Sequence, residues 1–355
     1  MTVRGTIQIR AIRAGSGERK HGFIDVGDTP NGPLRVPLVI VNGAHDGPVL
    51  CLTAGVHATE YPPIDTVMRA VNALAPEHLH GAVIAVPVVN TAMFERRTAF
   101  VSPVDGLNLN NIAPGNGNGT MSEMLAHVLL NEIIGTAQYY IDLHGGDFGE
   151  LLLPFVGCLA TGNSLLDCRA ELLARVYGPE LVVVSDGQRV FPFAGSIVHA
   201  AAHRGIVAII AEAGGNGEMS EADTRVHLTG IRNVMRYLGM IEGVPSTPRT
   251  FQRGIVQFVT RATHPGLVRL KVRIGEHVAA GQEVAEIYDV LGDRVEVVRS
   301  QQTGIAGLIW THKVVNSGDP IVRCWITTPA PPLSNASRPK PAPQRNVSLR
   351  DVARL

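Results

Sequence analysis

Three residues of types that commonly bind zinc stand out in the sequence. His57 and Glu60 lie three positions apart, and His144 follows far downstream at the end of the segment Tyr139-Tyr-Ile-Asp-Leu-His144. Two imidazoles and one carboxylate are a usual protein ligand set for catalytic Zn²⁺, with the fourth position left for water. Each residue taken alone is equally typical of an ordinary surface loop. If the three meet in space, they predict a metallohydrolase that binds one Zn²⁺ per chain.

The elements that must position these residues are short apolar strands alternating with helices. The predicted strands are Leu34–Val41, Pro48–Ala54, Gly81–Val89, Tyr139–Leu143, Leu181–Val184 and Ile206–Glu212. The predicted helices are Pro62–Leu74, Thr120–Ile134, Leu165–Tyr177, Gly195–His203 and Glu221–Leu238. Such alternation predicts an α/β sandwich around a mixed, mostly parallel sheet. Because His57, Glu60 and His144 follow or end strands, we expect them at one edge of that sheet, where open α/β sheets bind ligands.

Two further carboxylates belong to the same pattern. Asp142 lies two positions before His144 on the same strand face, so it is predicted to orient that imidazole from behind. Glu212 ends the apolar run Ile206–Glu212. Because a buried carboxylate is costly without a partner or a task, Glu212 is a candidate general base, with a structural ion pair as the alternative.

A polar segment lies between the two halves of the proposed metal site. Residues 105–115 are rich in turn-forming and amide side chains, including Asn110 and Asn111. The segment is either an exposed loop or a wall that binds substrate. Just upstream, Arg96 and Arg97 are candidates to polarise a scissile carbonyl or to contact substrate.

Composition excludes several classes of function. Lys plus Arg and Asp plus Glu both number 31, so we expect no nucleic-acid partner. No apolar stretch reaches the roughly 18–20 residues that span a bilayer, and the N-terminus lacks a signal-peptide pattern. We therefore expect a cytoplasmic protein with no membrane association. The four cysteines form no C-x-x-C pair, which argues against a cysteine zinc site.

The pattern changes after residue 245, which suggests three parts. Residues 1–245 are predicted to form the catalytic domain, and their first 30 or so residues a β-type extension. Residues 251–328 contain short β-type runs separated by Gly turns and predict a small β-barrel or β-sandwich. Residues 329–355 form a Pro-rich tail.

Four motifs together resemble the succinylglutamate desuccinylase/aspartoacylase family. They are Gly55-Val-His-Ala-Thr-Glu60, Asp105-Gly-Leu-Asn-Leu-Asn110, Asp142-Leu-His144 and Glu212-Ala-Gly214, in this order. The resemblance covers about residues 40–330 and implies a three-layer α/β/α fold like that of the zinc carboxypeptidases. It also implies zinc-dependent hydrolysis of an N-acyl amide bond in a small molecule.

The resemblance assigns roles to individual residues. It implies His57, Glu60 and His144 as zinc ligands and Glu212 as the base that activates water and then protonates the leaving amine. It implies Arg97, or alternatively Arg96, as the carbonyl-polarising arginine, and Asn110 as a substrate-binding amide.

One departure from the family pattern concerns the substrate. The family usually has Arg after the Asn of the loop, whereas this chain has Asn111. An amide lacks the charged fork with which Arg holds a carboxylate. We therefore expect a less acidic substrate than succinylglutamate or N-acetylaspartate. Asn111 also argues against the alternative of a peptide-cleaving metallocarboxypeptidase; a non-catalytic binding protein is the other alternative, disfavoured by the intact ligand set.

The C-terminal β-region resembles a biotinyl/lipoyl-type hairpin domain. Such a carrier needs a Lys at its hairpin tip, but no Lys occurs between Lys271 and Lys313. A carrier function is therefore excluded by the sequence. We expect this region to pack on the catalytic part, where it narrows the cleft or supports a homo-oligomer.

Overall fold

Alternating strands and helices in the middle of the chain build one large mixed sheet. The computed structural model describes residues 5–30, 32–188, 191–248 and 250–330. The N-terminal and central strands are β1 (Ile7–Ile9), β2 (Ile12–Ala14), β3 (Glu18–Thr29), β4 (Gly32–Asn42), β5 (His45–Ala54), β6 (His80–Val86), β7 (Tyr139–His144), β8 (Glu150–Leu152), β9 (Phe155–Leu159), β10 (Leu181–Ser185) and β11 (Val207–Glu212). The C-terminal strands are β12 (Phe251–Arg261), β13 (Gly266–Leu270), β14 (His277–Val278), β15 (Glu283–Tyr288), β16 (Arg294–Arg299), β17 (Gly304–Trp310), β18 (Val314–Val315) and β19 (Pro320–Ala330).

The helices connect the central strands. They are α1 (Tyr61–Asn72), α2 (Thr91–Arg96), α3 (Met121–Val128), α4 (Ser164–Tyr177), α5 (Ile197–His203) and α6 (Glu221–Tyr237). A π-helical turn, Leu129–Ile133, continues α3, and short 3₁₀ turns occur at Pro76–His78, Leu109–Asn111 and Ile134–Thr136. The predicted strands and helices are confirmed, with ends that differ by at most three residues when the π turn is counted with α3. None of the described helices is long and apolar enough to cross a membrane.

The sheet is parallel at its centre and antiparallel on both flanks. Its order is β14-β17-β19-β12-β10-β9-β11-β7-β5-β6-β4-β3, and β8 also pairs with β17. Strands β6, β5, β7 and β11 run parallel, as do β9, β10 and β12. The sheet is mixed, as predicted. The prediction that it is mostly parallel is wrong, because β9 runs antiparallel to β11 and antiparallel hairpins extend both edges. The strand β9 was not recognised in the sequence.

Helices cover both faces of the central sheet. One buried cluster packs Cys51 of β5 with residues of α3 and α5, and a second packs Leu50 and Leu52 with residues of α1, α4 and α6. Successive side chains of a strand point to opposite faces, so this alternation places a helical layer on each side of the sheet. The finer likeness to the zinc carboxypeptidases stays a prediction.

The main sheet continues into the C-terminal region. Strand β12 pairs in parallel with β10, and its other edge pairs with β19. The strands β16, β15, β13 and β18 form a separate four-stranded sheet around a core of their own. The domain boundary predicted near residues 245–251 stays a prediction, although the hydrogen-bonded sheet runs across it. Residues 331–355 of the predicted tail lie outside the described part of the chain.

Candidate metal centre and active-site cleft

Three adjacent parallel strands bring the predicted metal ligands and the predicted base to one edge. Strands β5, β7 and β11 are neighbours, and Glu212 pairs in register with His144. The chain leaves β5 through Gly55, whose φ of +69° suits glycine, and a Cβ there would lie 3.2 Å from the Cα of Val88. This turn carries His57 and Glu60 over the carboxyl ends of the strands, the ligand-binding position of open α/β sheets.

The carboxylate of Glu60 lies between the two imidazoles. Its Oε1 is 3.0 Å from Nδ1 of His57, and its Oε2 is 3.0 Å from Nδ1 of His144. One potential ligand atom from each of the three residues lies within 4.8 Å of the others. Glu60 and His144 are buried and His57 is nearly so. The structure therefore brings the three predicted ligands together around a common point.

Further contacts orient both imidazoles with Nδ1 towards that point. Nε2 of His57 lies 3.1 Å from Oδ1 of Asn108, which accepts a hydrogen bond from Nε2–H in the tautomer that leaves Nδ1 unprotonated. Nε2 of His144 lies 3.4 Å from the carboxylate of Asp142. Thr53 donates a 2.6 Å hydrogen bond to that same carboxylate. Asp142 therefore lies where a residue that orients a ligand imidazole from behind should lie.

The electrostatics of the cluster keep Glu60 ionised. Burial alone would raise the pKa of Glu60, but His144 and His57 lower it to about 2. Burial likewise opposes protonation of His144, whereas Glu60 and Asp142 raise the pKa of this imidazole well above its ordinary value. A permanently ionised carboxylate between two imidazoles suits a cation at their common point, and binding that cation would release protons from the imidazoles.

Glu212 is a buried carboxyl group whose pKa is raised. Its side chain is 6% exposed and lines the same cleft. Burial is the main reason that the pKa of Glu212 lies well above its ordinary value; His144 opposes the shift, and Glu60 and Glu150 add to it. A carboxylate with a raised pKa both accepts and returns protons readily.

The cleft above these residues is small. It encloses about 320 Å³ and is lined by the metal-site residues, by Phe155, Phe191 and Phe193, and by residues of β17 and β19. A larger groove of about 830 Å³ lies elsewhere, between α4, α6 and C-terminal strands, and is not lined by His57, Glu60 or His144. We place the chemistry in the smaller cleft because titratable groups with shifted pKa values converge there.

The two predicted substrate-binding amides both line the cleft, but they differ in environment. Asn110 is buried, and its Oδ1 accepts a 3.1 Å hydrogen bond from the backbone N–H of Ile197 at the start of α5. Asn111 is exposed. Asn110 thus has a structural hydrogen bond in addition to any contact with substrate.

The structure places Arg96 and Arg97 outside the cleft. Both are exposed at the end of α2, and neither lines the cavity. Phe100 lines it instead, and its backbone N–H donates a 2.7 Å hydrogen bond to Asp147, which also accepts a hydrogen bond from Thr59. The buried Asp147 thus holds the loop that carries Phe100 into the cleft. The roles of Arg96 and Arg97 stay predictions.

Sequence reasoning missed three polar residues of the cleft. Glu150 on β8, Arg323 on β19 and Trp325 on β19 all line it. Burial, helped by Glu60, raises the pKa of Glu150 to about 6. The available signal for Arg323 was a single charge within the otherwise apolar segment Ile321-Val-Arg-Cys-Trp325.

The residues present fit a divalent cation of the zinc type. Two imidazole nitrogens and an ionised carboxylate converge, and each imidazole has a polar group behind it. Nitrogen and oxygen donors in this number leave room for one further ligand. The neighbouring Glu212 adds a base beside the same point.

The candidate site falls within a region that matches a known protein family. The model of the succinylglutamate desuccinylase/aspartoacylase catalytic domain matches residues 46–238, a span that contains all four residues of the proposed metal site and base. A deacetylase of N-alpha-acetyl-L-2,4-diaminobutyric acid from Halomonas elongata is 27% identical over 317 residues, which is 85% of this chain and 90% of that protein.

Solved structures share the fold over nearly the full chain. A succinylglutamate desuccinylase/aspartoacylase from Rhodobacter sphaeroides has a TM-score of 0.81 at 25% identity and covers 92% of this chain and 99% of its own. The product-bound ectoine utilization protein EutE (DoeB) from Ruegeria pomeroyi has a TM-score of 0.79 at 21% identity, with 87% and 95% covered. The family model spans more than half of the chain, and the protein belongs to the succinylglutamate desuccinylase/aspartoacylase family.

Proposed function

We propose that the protein is a zinc-dependent deacylase that hydrolyses the amide bond of a small N-acyl amine or N-acyl amino acid. The observation that carries this proposal is the convergence of His57, Glu60 and His144 beside Glu212 in one cleft. The family and the name of the Halomonas elongata relative support a deacylase. The cavity of about 320 Å³ suits a small molecule better than a polypeptide.

In this proposal the metal ligands are His57, Glu60 and His144, one zinc ion per chain. A bound zinc ion would polarise the scissile carbonyl and make water more acidic. Asp142 and Asn108 hold the two imidazoles with Nδ1 towards the carboxylate of Glu60, where the three residues would hold the ion. Their role is to keep the ligand nitrogens fixed, so that no imidazole must reorient during the reaction.

Glu212 performs the proton transfers. It takes a proton from the attacking water, and it returns that proton to the nitrogen of the leaving amine when the C–N bond breaks. The products are a carboxylate and an amine. Because burial holds the pKa of Glu212 high, the same carboxyl group serves in both directions.

The remaining cleft residues bind the substrate. The Nδ2 group of Asn110 is a candidate donor, since its Oδ1 is already held by the N–H of Ile197. Glu150, whose pKa is about 6, is mostly ionised at neutral pH and offers a negative charge to a substrate ammonium group. An N-acetyl diamino acid, the substrate class in the name of the Halomonas elongata relative, carries such a group and is our first candidate.

The test combines metal analysis with a substrate screen. Zinc-loaded protein is incubated with N-acetyl, N-succinyl and N-formyl amines and amino acids, and the released amine is measured. We expect turnover in wild type, and in Glu212→Gln an unchanged zinc content with turnover lowered about 10²-fold or more, as for loss of a general base. Glu218→Gln, the same change at an exposed position outside the cleft, is the matched control.

Two results would contradict the proposal. One is a zinc-loaded wild type that releases no amine from any compound of the screen. The other is Glu212→Gln protein that retains the wild-type rate, which would remove Glu212 from the mechanism.

A further inference from the structure

Strand β19 contributes two side chains to the cleft from the C-terminal part of the chain. Arg323 and Trp325 are two positions apart, so they project from the same face of the strand, and both line the cavity that holds Glu212. The strand is fixed on both sides, by β12 and by β17. These two residues are therefore rigidly presented to the site although they lie far from it in the sequence.

Both side chains have a buried N–H group without a partner. Among the described residues, nothing accepts a hydrogen bond from Nε of Arg323 or from Nε1 of Trp325. A buried donor without a partner costs about 1–3 kcal/mol, so such groups are rare unless a ligand satisfies them. Two in one cleft, two positions apart on one strand, indicate a place where an acceptor binds.

Neighbouring aromatic rings fix the orientation of each of these two side chains. The guanidinium of Arg323 lies over the ring of Trp310, with its Cζ 5.3 Å from the ring centroid. The ring of Trp325 packs against Phe155, with centroids 5.5 Å apart, and Trp325 is 1% exposed. Stacking of this kind fixes the orientation of a guanidinium while its N–H groups remain available.

The charges of the cleft fit this interpretation. Burial lowers the pKa of Arg323, while Glu150 and Glu212 oppose that shift, so the arginine is a cation within the field of two carboxyl groups. The position after Asn110, where the family usually has an arginine, is Asn111 here. Since Arg96 and Arg97 lie outside the cleft, Arg323 supplies the positive charge that these residues do not.

We propose that Arg323 and Trp325 form an anion site that binds the carboxylate of the N-acyl substrate. The inference rests on the proposed deacylase function and assigns to these two residues the contact with the carboxyl group of an N-acyl amino acid. The guanidinium binds the carboxylate through its charged fork, and the indole N–H donates a further hydrogen bond. A substrate with a single carboxylate is also less acidic than succinylglutamate or N-acetylaspartate, as expected from Asn111. With Glu150 nearby, the cleft suits a zwitterionic substrate.

The test measures binding, so that it does not depend on turnover. Calorimetry is carried out on zinc-loaded Glu212→Gln protein with Nα-acetyl-L-2,4-diaminobutyric acid, N-acetyl-L-alanine and N-acetyl-L-glutamine, each paired with its carboxamide. We expect at least one free acid to bind about tenfold or more tightly than its amide, as for a hydrogen-bonded charge. Adding Arg323→Gln to this protein should remove that preference, because it weakens binding of the free acid and leaves binding of the amide unchanged.

Two further variants separate the contact from general effects. Arg323→Lys keeps the charge without the fork, so it should retain part of the preference. Trp325→Phe keeps an aromatic ring without the N–H and should weaken acid binding a few-fold. This variant tests the anion site even if Arg323→Gln does not fold. Arg299→Gln is the matched control, because Arg299 is exposed on β16, outside the cleft, and donates to the carbonyl of Gly281.

The outcomes distinguish this inference from the proposed function. If no free acid binds more tightly than its amide, or if Arg323→Gln weakens acid and amide equally, the anion site is wrong. If the acid preference depends on Arg323 but the wild type hydrolyses none of the compounds, the anion site stands and the deacylase proposal fails.

Discussion

His227 of α6 is a buried histidine whose protonation should govern stability at acid pH. Its Nδ1 lies 2.8 Å from the hydroxyl of Tyr177, and its Nε2 lies 3.2 Å from the carbonyl oxygen of Ala213, next to Glu212. A neutral ring satisfies both contacts, by accepting from the hydroxyl at Nδ1 and donating from Nε2. Burial is the main reason that the pKa of His227 falls from 6.5 to about 4.

The sign and size of the effect follow from this shift. Between pH 6.5 and about 4 the unfolded chain binds a proton at His227 that the folded protein does not. The stability contribution is therefore complete above pH 6.5 and is lost as the pH falls towards 4. At about 1.4 kcal/mol per pKa unit the full loss is roughly 3 kcal/mol, and about 2 kcal/mol of it should be lost between pH 7.5 and 5.

The assay is urea unfolding at several pH values between 7.5 and 5. A chelator is present throughout, because metal release is itself pH dependent. Between pH 7.5 and 5, the unfolding free energy of wild type should fall by about 2 kcal/mol more than that of His227→Gln. His78→Gln, at an exposed position, should retain the wild-type dependence. Parallel pH profiles for wild type and His227→Gln would refute the reasoning.

Three further predictions concern the metal site, the helix layer and the amide loop. His57→Ala should lower the zinc content measured by atomic absorption to a small fraction of wild type, since it removes one of the three proposed ligands. Gly230→Ala should lower the unfolding free energy by about 1–3 kcal/mol, because the added methyl would overlap the buried ring of Tyr177. Asn110→Ala should cost about 1–3 kcal/mol in urea unfolding, because it leaves the N–H of Ile197 unpaired.

Each of these predictions has a control on the same chain. His21→Ala, at an exposed position, should leave the zinc content unchanged, and equal near-zero zinc in wild type and His57→Ala would remove the metal site. Thr229→Ala makes no overlap with Tyr177 and tests whether any change in that turn of α6 is costly. Asn111→Ala, at an exposed position, should leave stability unchanged; an equal loss in both amide variants would contradict the role given to Asn110.

The central strands and helices were predictable because their signals are local. An apolar run such as Ile206–Glu212 predicts a strand by its own composition. The predicted helix Thr120–Ile134 differs from the structure only at its end, where a π turn follows α3. The direction of β9 was not predictable, since Phe155–Leu159 is apolar throughout and pairs antiparallel with β11 and parallel with β10. A strand of this kind accepts either direction, and long-range pairing decides it.

The sequence by itself predicted which four residues meet at the candidate metal centre. His57, Glu60, His144 and Glu212 each follow or end a strand pattern, and the carboxyl ends of neighbouring parallel strands meet at one edge of the sheet. Because of this rule, four local sequence patterns predict one site, and no knowledge of side-chain packing is needed.

Only the tertiary structure decided which charges line the cleft. Arg96 and Arg97 lie near the polar loop in sequence yet are exposed outside the cleft, whereas Arg323 enters it from β19. The reason is physical: β19 reaches the site through its pairing with β12, which itself pairs with β10 of the central sheet. Pairing between distant strands depends on the whole sheet, so no local pattern around Arg323 could reveal its neighbour Glu212.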